Sequence, residues 1–288
     1  MNERVRPPIG IYEKALPIGL DWRQRLAMAE SLGFDFVEMS IDESDRRLAR
    51  LDWSKAERCD FRDAVADSRL TVPSICLSAH RRFPFGSADP AVRARAKEIM
   101  LKAIDLAQAT GVRTLQLAGY DVYYEPSTPE SVARFQEGLA WAAAQASLAQ
   151  VMLAVEIMDT PLMGSITKWM AYKAAIASPW FEVYPDLGNL SAWGADVAEE
   201  LAKGIRNIVA VHVKDTIAPH DGFAGQFKGV PFGAGCVDFV AAFAALKRLG
   251  YRGAFLIEMW SETSADPAAE IRAARAFVLA KMEQGGWR

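Results

Sequence analysis

The chain has little cysteine and little histidine. Among its 288 residues are three cysteines, Cys59, Cys76 and Cys236, odd in number and without a C-x-x-C pair. That excludes a disulfide framework and a thiolate-bound structural zinc, and we read all three as buried thiols of a reducing cytoplasm. Only His80, His212 and His220 supply imidazoles, too few for a trinuclear zinc nuclease site. No apolar run approaches the roughly 20 residues needed to span a bilayer. The opening MNERVRPPIG is charged and Pro-rich rather than apolar, so neither membrane insertion nor export is expected. Excess charge is also missing. A net charge of −3 leaves no broad basic surface for nucleic acid, while a local basic pocket for one phosphate stays possible.

What the chain does have is apolar content, 51% of residues, in a regular rhythm. Short β-rich runs at 8–12, 35–40, 71–78, 113–118, 151–157, 181–186, 208–214 and 254–260 alternate with helical periods at 21–32, 54–68, 90–110, 128–149, 165–177, 196–203, 237–249 and 267–284. Eight strand–helix repeats without polar alternation predict a parallel sheet covered on both faces, an α/β fold closed as a single (β/α)8 barrel over 1–288. Asp89-Pro90, Thr128-Pro129 and Asp266-Pro267 mark helix starts, and Gly33, Gly111 and Gly250 mark helix ends. The longest stretch without helix or strand signal is 216–235, after the seventh strand. With 79–90, after the third, it is expected to form a loop at the C-terminal rim, where barrels keep their active sites.

Four apolar runs of the second half each end in a candidate metal ligand: VMLAVEIMD in Glu156, FEVYPDLGN in Asp186, IVAVHVKD in His212 and AFLIEMW in Glu258. A lone carboxylate at a strand end is more often a cap or a surface ion-pair partner, but four on successive strands at one rim point to one divalent-cation site. Period-two alternation favours Glu156 over Asp159, which it puts on the opposite face, and His212 over Asp215. Three carboxylates and one imidazole suit Mn²⁺ or Mg²⁺ and tolerate Co²⁺ or Zn²⁺. Such a cation can stabilise the enediolate of a ketose as a Lewis acid. Glu156 and Glu258, three strands apart in a ring of eight, can then serve as an acid/base pair or as passive ligands.

The runs LGFDFVEMSIDESD, CLSAHRRFPFGS, LAGYDVYYE, VEIMDT, YPDLGNLSAWG, HVKDT, GQFKGVPFG and FLIEMW resemble the L-ribulose-5-phosphate 3-epimerase (L-xylulose-5-phosphate 3-epimerase) family of xylose-isomerase-like barrels, from about Ile9 to Glu262. SIDESD and AHRRFPFGS are distinctive of the phosphate-using branch. The resemblance implies interconversion of L-xylulose 5-phosphate and L-ribulose 5-phosphate in pentose and ascorbate catabolism, with Glu156, Asp186, His212 and Glu258 on the metal and the two glutamates exchanging the proton. By analogy it also implies a homodimer.

For the ketopentose phosphate itself, His80, Arg81 and Arg82 are candidate phosphate contacts, against the alternative of a solvated loop edge. Lys214 shares the His212 face, and Gln226 and Lys228 sit on the long loop, either closing over the ligand or merely polar. Glu38 either bonds the sugar or holds a lysine. Tyr12, Trp193 and Trp260 are candidate apolar walls. Two other readings stay open: an isomerase or epimerase of a related ketose, and a barrel that binds a sugar phosphate without chemistry.

Overall fold

Residues 6–287 are described by a computed structural model; Met1–Val5, part of the charged opening run, and Arg288 lie outside it. Each apolar run becomes a strand: β1 Ile9–Tyr12, β2 Phe36–Ile41, β3 Ser74–Leu77, β4 Thr114–Ala118, β5 Met152–Glu156, β6 Phe181–Tyr184 and β7 Ala210–Val213. An antiparallel hairpin follows, β8 Asp215–Ile217 and β9 Gln226–Val230, and then β10 Ala254–Ile257. Eight of these form a parallel sheet in the order β6-β5-β4-β3-β2-β1-β10-β7. The ring closes where parallel bridges join Val183 to Ile208 and Asp186 to His212, and His212 N–H donates to the Pro185 carbonyl at 2.9 Å. The result is a (β/α)8 barrel.

The helices are α1 Trp22–Ser31, α2 Asp45–Leu48, α3 Lys55–Ala66, α4 Pro90–Thr110, α5 Pro129–Leu148, α6 Ile166–Ile176, α7 Leu187–Ala192, α8 Val197–Gly204, α9 Phe239–Arg248 and α10 Pro267–Gln284. Their starts follow the capping residues. Asp89 accepts from Ala91 N–H, Thr128 from Ser131 N–H and Asp266 from Ala269 N–H. After α4 the chain turns through Gly111 at φ 83°, a left-handed conformation that a side chain would strain.

Alternate strand residues divide the core in two. Ile9, Ile11, Val37, Met39, Ile75, Leu77, Leu115, Leu117, Leu153 and Val155 join the large cluster shared with the helices, each worth roughly 1.5–3 kcal/mol when fully buried. Two small clusters, Tyr12, Phe36, Cys76 and Leu256, and Ala154, Tyr184 and Ala210, fall on the other strand face and fill the barrel interior. Gly10 belongs to that interior face, where an added Cβ would lie 2.1 Å from the Phe36 ring. Above these plugs the inward positions turn polar, and the site begins there.

Two expectations need correction. The segment 216–235 is not structureless: β8 and β9 pair Asp215 with Val230 and Ile217 with Gln226. The turn signals hid the strands, because Gly222, Gly225 and Gly229 take positive φ inside and beside the hairpin. The Asp215 carboxylate secures the returning chain, accepting N–H bonds from Gly233 at 2.8 Å and Gly235 at 2.9 Å. Nor are all the thiols buried. Cys76 is, but Cys59 is exposed on the solvent face of α3 and Cys236 on the loop after β9. The short helices α2 and α7 lack the length for a periodic signal and went unforeseen. Among the described residues no helix is long and apolar enough to cross a membrane.

Candidate metal centre

The closing seam of the barrel builds the site. Asp186 follows β6 and caps α7: its Oδ1 accepts from Asn189 N–H at 2.6 Å, which leaves Oδ2 aimed inward. Across the bridge lies His212 on β7. Glu156 ends β5, and Glu258 follows β10, its N–H donating to the Val213 carbonyl at 3.0 Å. One ligand atom from each of Glu156, Asp186, His212 and Glu258 can be chosen so that all four lie within 4.8 Å of one another, and all four residues are buried. His212 Nδ1 stands 3.2 Å from Glu156 Oε1, 3.8 Å from Glu258 Oε2 and 3.9 Å from Asp186 Oδ2.

The charge of this cluster is unbalanced. With Glu38, four buried carboxylates surround one imidazole and the Lys214 ammonium, which lies 3.4 Å from Asp186 Oδ2 and 3.2 Å from Glu258 Oε2. Asp186 Oδ2 and Glu258 Oε2 are buried and, among the described residues, accept no hydrogen bond. Burial, together with the charges of Glu258 and Glu156, raises the Asp186 pKa against the pull of Lys214. Burial opposes a charge on His212, yet the Glu258 and Glu156 carboxylates outweigh it and raise its pKa. The same competition raises Lys214, where burial lowers and Asp186 and Glu258 raise. Glu258 is lowered: Lys214 and His212 overcome its burial. Uncompensated buried charge is costly, so protons or a divalent cation must neutralise the excess. Two orphaned carboxylate oxygens, a third carboxylate and an imidazole nitrogen fit a hard cation, and unlike a structural zinc set the cluster offers no thiolate.

Surrounding groups fix the four candidate ligands. His212 Nε2 faces Glu38 Oε1 at 3.2 Å, and Ser74 Oγ donates to Glu38 Oε2 at 2.6 Å. That partner favours the proton on Nε2 and frees Nδ1 to ligate. Gln116 donates its amide N–H to Glu156 Oε2, and the Tyr184 ring packs edge-on against His212 at 4.5 Å.

Above the cluster opens a cavity of about 210 Å³. Glu156, Lys214, Glu258, Lys228 and Arg81 line it, and so do Tyr12 and Trp260. The remaining expected contacts lie elsewhere. His80 is buried, stacked on Phe85, with Nε2 3.1 Å from the Ala96 carbonyl. Burial drives its pKa down to about 4, so it offers no charge to a phosphate. Arg82 points outward to Asp45 at 2.8 Å and the Glu43 carbonyl. Gln226 is exposed and donates to the Lys228 carbonyl at 3.1 Å. Glu38 touches neither cavity nor lysine, because its place deep on β2 turns it to His212. Asp159 does line the cavity: strand alternation ends at Glu156, and Tyr120 Oη donates to Asp159 at 2.8 Å. Trp193 stays at the surface, partly exposed.

Sequence reasoning passed over Lys14, Gln116, Tyr120 and Tyr123. Gln116 carried a signal, a single amide in the apolar run TLQLA, and Lys14 stands two residues past a strand end. A larger cavity of about 420 Å³ lies beyond Trp260, sharing Lys214 and Glu258 but walled by Val230, Pro231, Phe232, Met259 and Phe277. Such walls offer few partners for sugar hydroxyls.

The sequence matches the family described as "Xylose isomerase-like TIM barrel" over residues 26–281. It is 58% identical over 279 residues to L-ribulose-5-phosphate 3-epimerase UlaE of Salmonella paratyphi C, covering 97% of this chain and 96% of that one. UlaE of Escherichia coli O157:H7 is 57% identical with the same coverage. Among solved structures, an L-ribulose 3-epimerase superposes with a TM-score of 0.74 at 24% identity, covering 97% of this chain and 95% of that one.

Proposed function

This chain belongs to the xylose isomerase-like TIM barrel family and, within it, to the L-ribulose-5-phosphate 3-epimerases, and from that premise we propose that it interconverts L-ribulose 5-phosphate and L-xylulose 5-phosphate. The observation that carries the reading is the buried ring of Glu156, Asp186, His212 and Glu258 at the floor of a small, cation-rimmed cavity. In this reading those four side chains hold one divalent cation, Mn²⁺ or Mg²⁺ before Co²⁺ or Zn²⁺. When bound, it supplies Lewis-acid stabilisation of the negative charge on the substrate's carbonyl and neighbouring hydroxyl oxygens.

The remaining work falls to side chains. Epimerisation at C3 needs a base on one face of the sugar and an acid on the other. Glu156 and Glu258 stand on strands three apart in the ring, so they reach C3 from well-separated directions. One removes the C3 proton to leave an enediolate, and the other returns a proton to the opposite face. Lys214, paired to Glu258 and raised in pKa, stays charged and holds Glu258 ionised for the first step. It also donates to a substrate oxygen. Tyr12 and Trp260 meet edge-to-face at 6.2 Å and shield the carbon chain from water. The exposed free thiols Cys59 and Cys236 support a place in the reducing cytoplasm, and the proposed substrate pair implies a role in pentose and ascorbate catabolism.

The test is NMR of L-xylulose 5-phosphate with Mg²⁺-loaded enzyme in deuterated water, supported by Mn²⁺-dependent rates. L-ribulose 5-phosphate carrying deuterium at C3 is the expected product. Epimerisation without solvent deuterium would remove the two-base scheme. Neither turnover nor exchange, with cation bound, would remove this substrate.

A further inference from the structure

The small apolar plugs do not fill the barrel down to its foot, the end where the strands begin. Barrel interiors are ordinarily packed by layers of bulky branched side chains. Here the lowest inward positions are Phe36, Ser74, Thr114, Ala210 and Ala254, each the first residue of its strand. Period-two alternation sets Phe36 under Glu38, Ser74 under Cys76, Thr114 under Gln116 and Ala210 under His212. With four of the five side chains small, a cavity of about 360 Å³ is left. It belongs neither to the barrel mouth nor to the apolar space beyond Trp260.

The roof of this cavity is the underside of the ligand cluster. Tyr184 lines it and packs edge-on against His212 at 4.5 Å. Ser74 lines it too, and donates to Glu38, which faces His212 Nε2. The Tyr184 hydroxyl is buried, and among the described residues it has no hydrogen-bond partner. The neighbouring Glu38 carboxylate is already engaged, Oε1 at His212 and Oε2 at Ser74. An orphaned buried hydroxyl lacks a hydrogen bond that an oxygen entering the cavity can supply.

The two charged residues at the edge turn elsewhere. Asp35 accepts from Arg6 at 2.6 Å and from the Ile9 N–H at 2.8 Å. The Arg69 side chain is 91% exposed and reaches toward Glu30. What remains is the Phe36 ring, two prolines (Pro8 and Pro73) and alanine methyls around one deep donor. Such walls favour an apolar occupant over water or an ion.

We infer that the foot of the barrel is a second ligand site, for a compact neutral ring bearing one oxygen that accepts from Tyr184, and that its occupant tightens the cation site above. An oxygen that takes the Tyr184 hydroxyl fixes the ring, and the ring fixes the His212 imidazole before a cation arrives. The ligand site does not depend on the epimerase reading. The coupling rests on that reading's cation, held by Glu156, Asp186, His212 and Glu258.

The experiment titrates the full-length, Mg²⁺-loaded protein with 4-fluorophenol, followed by fluorine NMR. The expected result is saturable binding, weakened at least about tenfold by Ala254→Leu, which occupies the cavity, and about three- to tenfold by Tyr184→Phe, which removes the donor. Mn²⁺ binding, measured by calorimetry, should tighten at least about fivefold when the phenol is saturating. No saturable binding, or binding that neither variant changes, would overturn the site. Unchanged Mn²⁺ affinity with the phenol bound would overturn the coupling. If no divalent cation binds, while the phenol binds and Ala254→Leu blocks it, the cation reading fails and the foot site stands. Open space accepts a leucine, so Ala254→Leu should keep or raise Tm, and Ala210→Leu takes its place if it misfolds. A fall of more than about 5 °C in both would mean that the foot is already filled, and would overturn the site.

Discussion

The floor and the rim of the cavity are built from different material. The four candidate ligands of the floor stand at the ends of β5, β6, β7 and β10, where parallel pairing fixes the backbone on both sides and side-chain exposure is 7% or less. The rim cations Lys14, Arg81 and Lys228 stand on the turn after β1, a 3-10 turn and a hairpin strand, and among the described residues only Lys14 has a carboxylate partner. Groups that move a proton must be held within a fraction of an ångström, which strands do best. Groups that recognise a substrate's far end can sit on loops that change without disturbing the floor.

The comparison breaks most easily at the floor. Replacing Glu258 or Glu156 by Gln removes a carboxylate at its buried position with little change in shape. We expect kcat to fall by about 10²–10⁴-fold, beyond the loss of bound cation measured on the same sample. If activity per bound cation stays at the wild-type level, the glutamates are passive ligands and the rim is the only part that differs in kind. The next effect is one residue deeper. Glu38→Gln takes the anion from His212 Nε2 and should weaken cation binding by about 10–100-fold in calorimetry, with KM for the ketose changed far less. Cation binding should also weaken as pH falls from about 7.5 to 5.5. The pKa values of Asp186 and His212 are raised without the cation, so both groups carry more protons at the lower pH, and the cation must displace them.

The floor was also the legible part of the sequence. Each candidate ligand ends an apolar run, and a barrel converts strand ends into neighbours on one rim. Glu38 was legible as a polar residue in an apolar strand, but its contact with His212 spans 174 positions and depends on register across the ring. Rim geometry left weaker traces. Adjacent arginines look alike in sequence, yet the 3-10 turn sends Arg81 into the cavity and Arg82 out to Asp45. Period-two alternation puts Asp159 on the wrong face because β5 ends at Glu156, and the glycines of the hairpin hide its strands.

At the rim the effects shrink to single ion pairs. Interaction with Lys14 and Ser44 overcomes burial and holds the Asp42 carboxyl down at about 2, against an ordinary 3.8. A depressed folded-state pKa adds stability that is complete above about pH 4 and gone below about pH 2. Over that window Asp42 should contribute about 2 kcal/mol. Denaturant melts at pH 4.5 and 2.5 should therefore lie closer together for Asp42→Asn than for the wild type. An unchanged separation would mean that the Lys14–Asp42 pair is no tighter folded than unfolded, and that the scaffold beneath the rim is soft.

The smallest effect separates the two arginines. Arg82 is about half exposed, and its partner Asp45 almost wholly so, which limits the pair to about 0–1 kcal/mol. Gln226 likewise points to solvent, bonded only to a carbonyl of its own hairpin. Arg82→Ala and Gln226→Ala should each change KM for the phosphorylated ketose by less than about twofold, a step below any loss at Arg81. A tenfold rise for Arg82→Ala would mean that the 3-10 turn rotates when substrate enters. The rim would then be a moving part, and the contrast with the strand-built floor would be one of dynamics as well as of material.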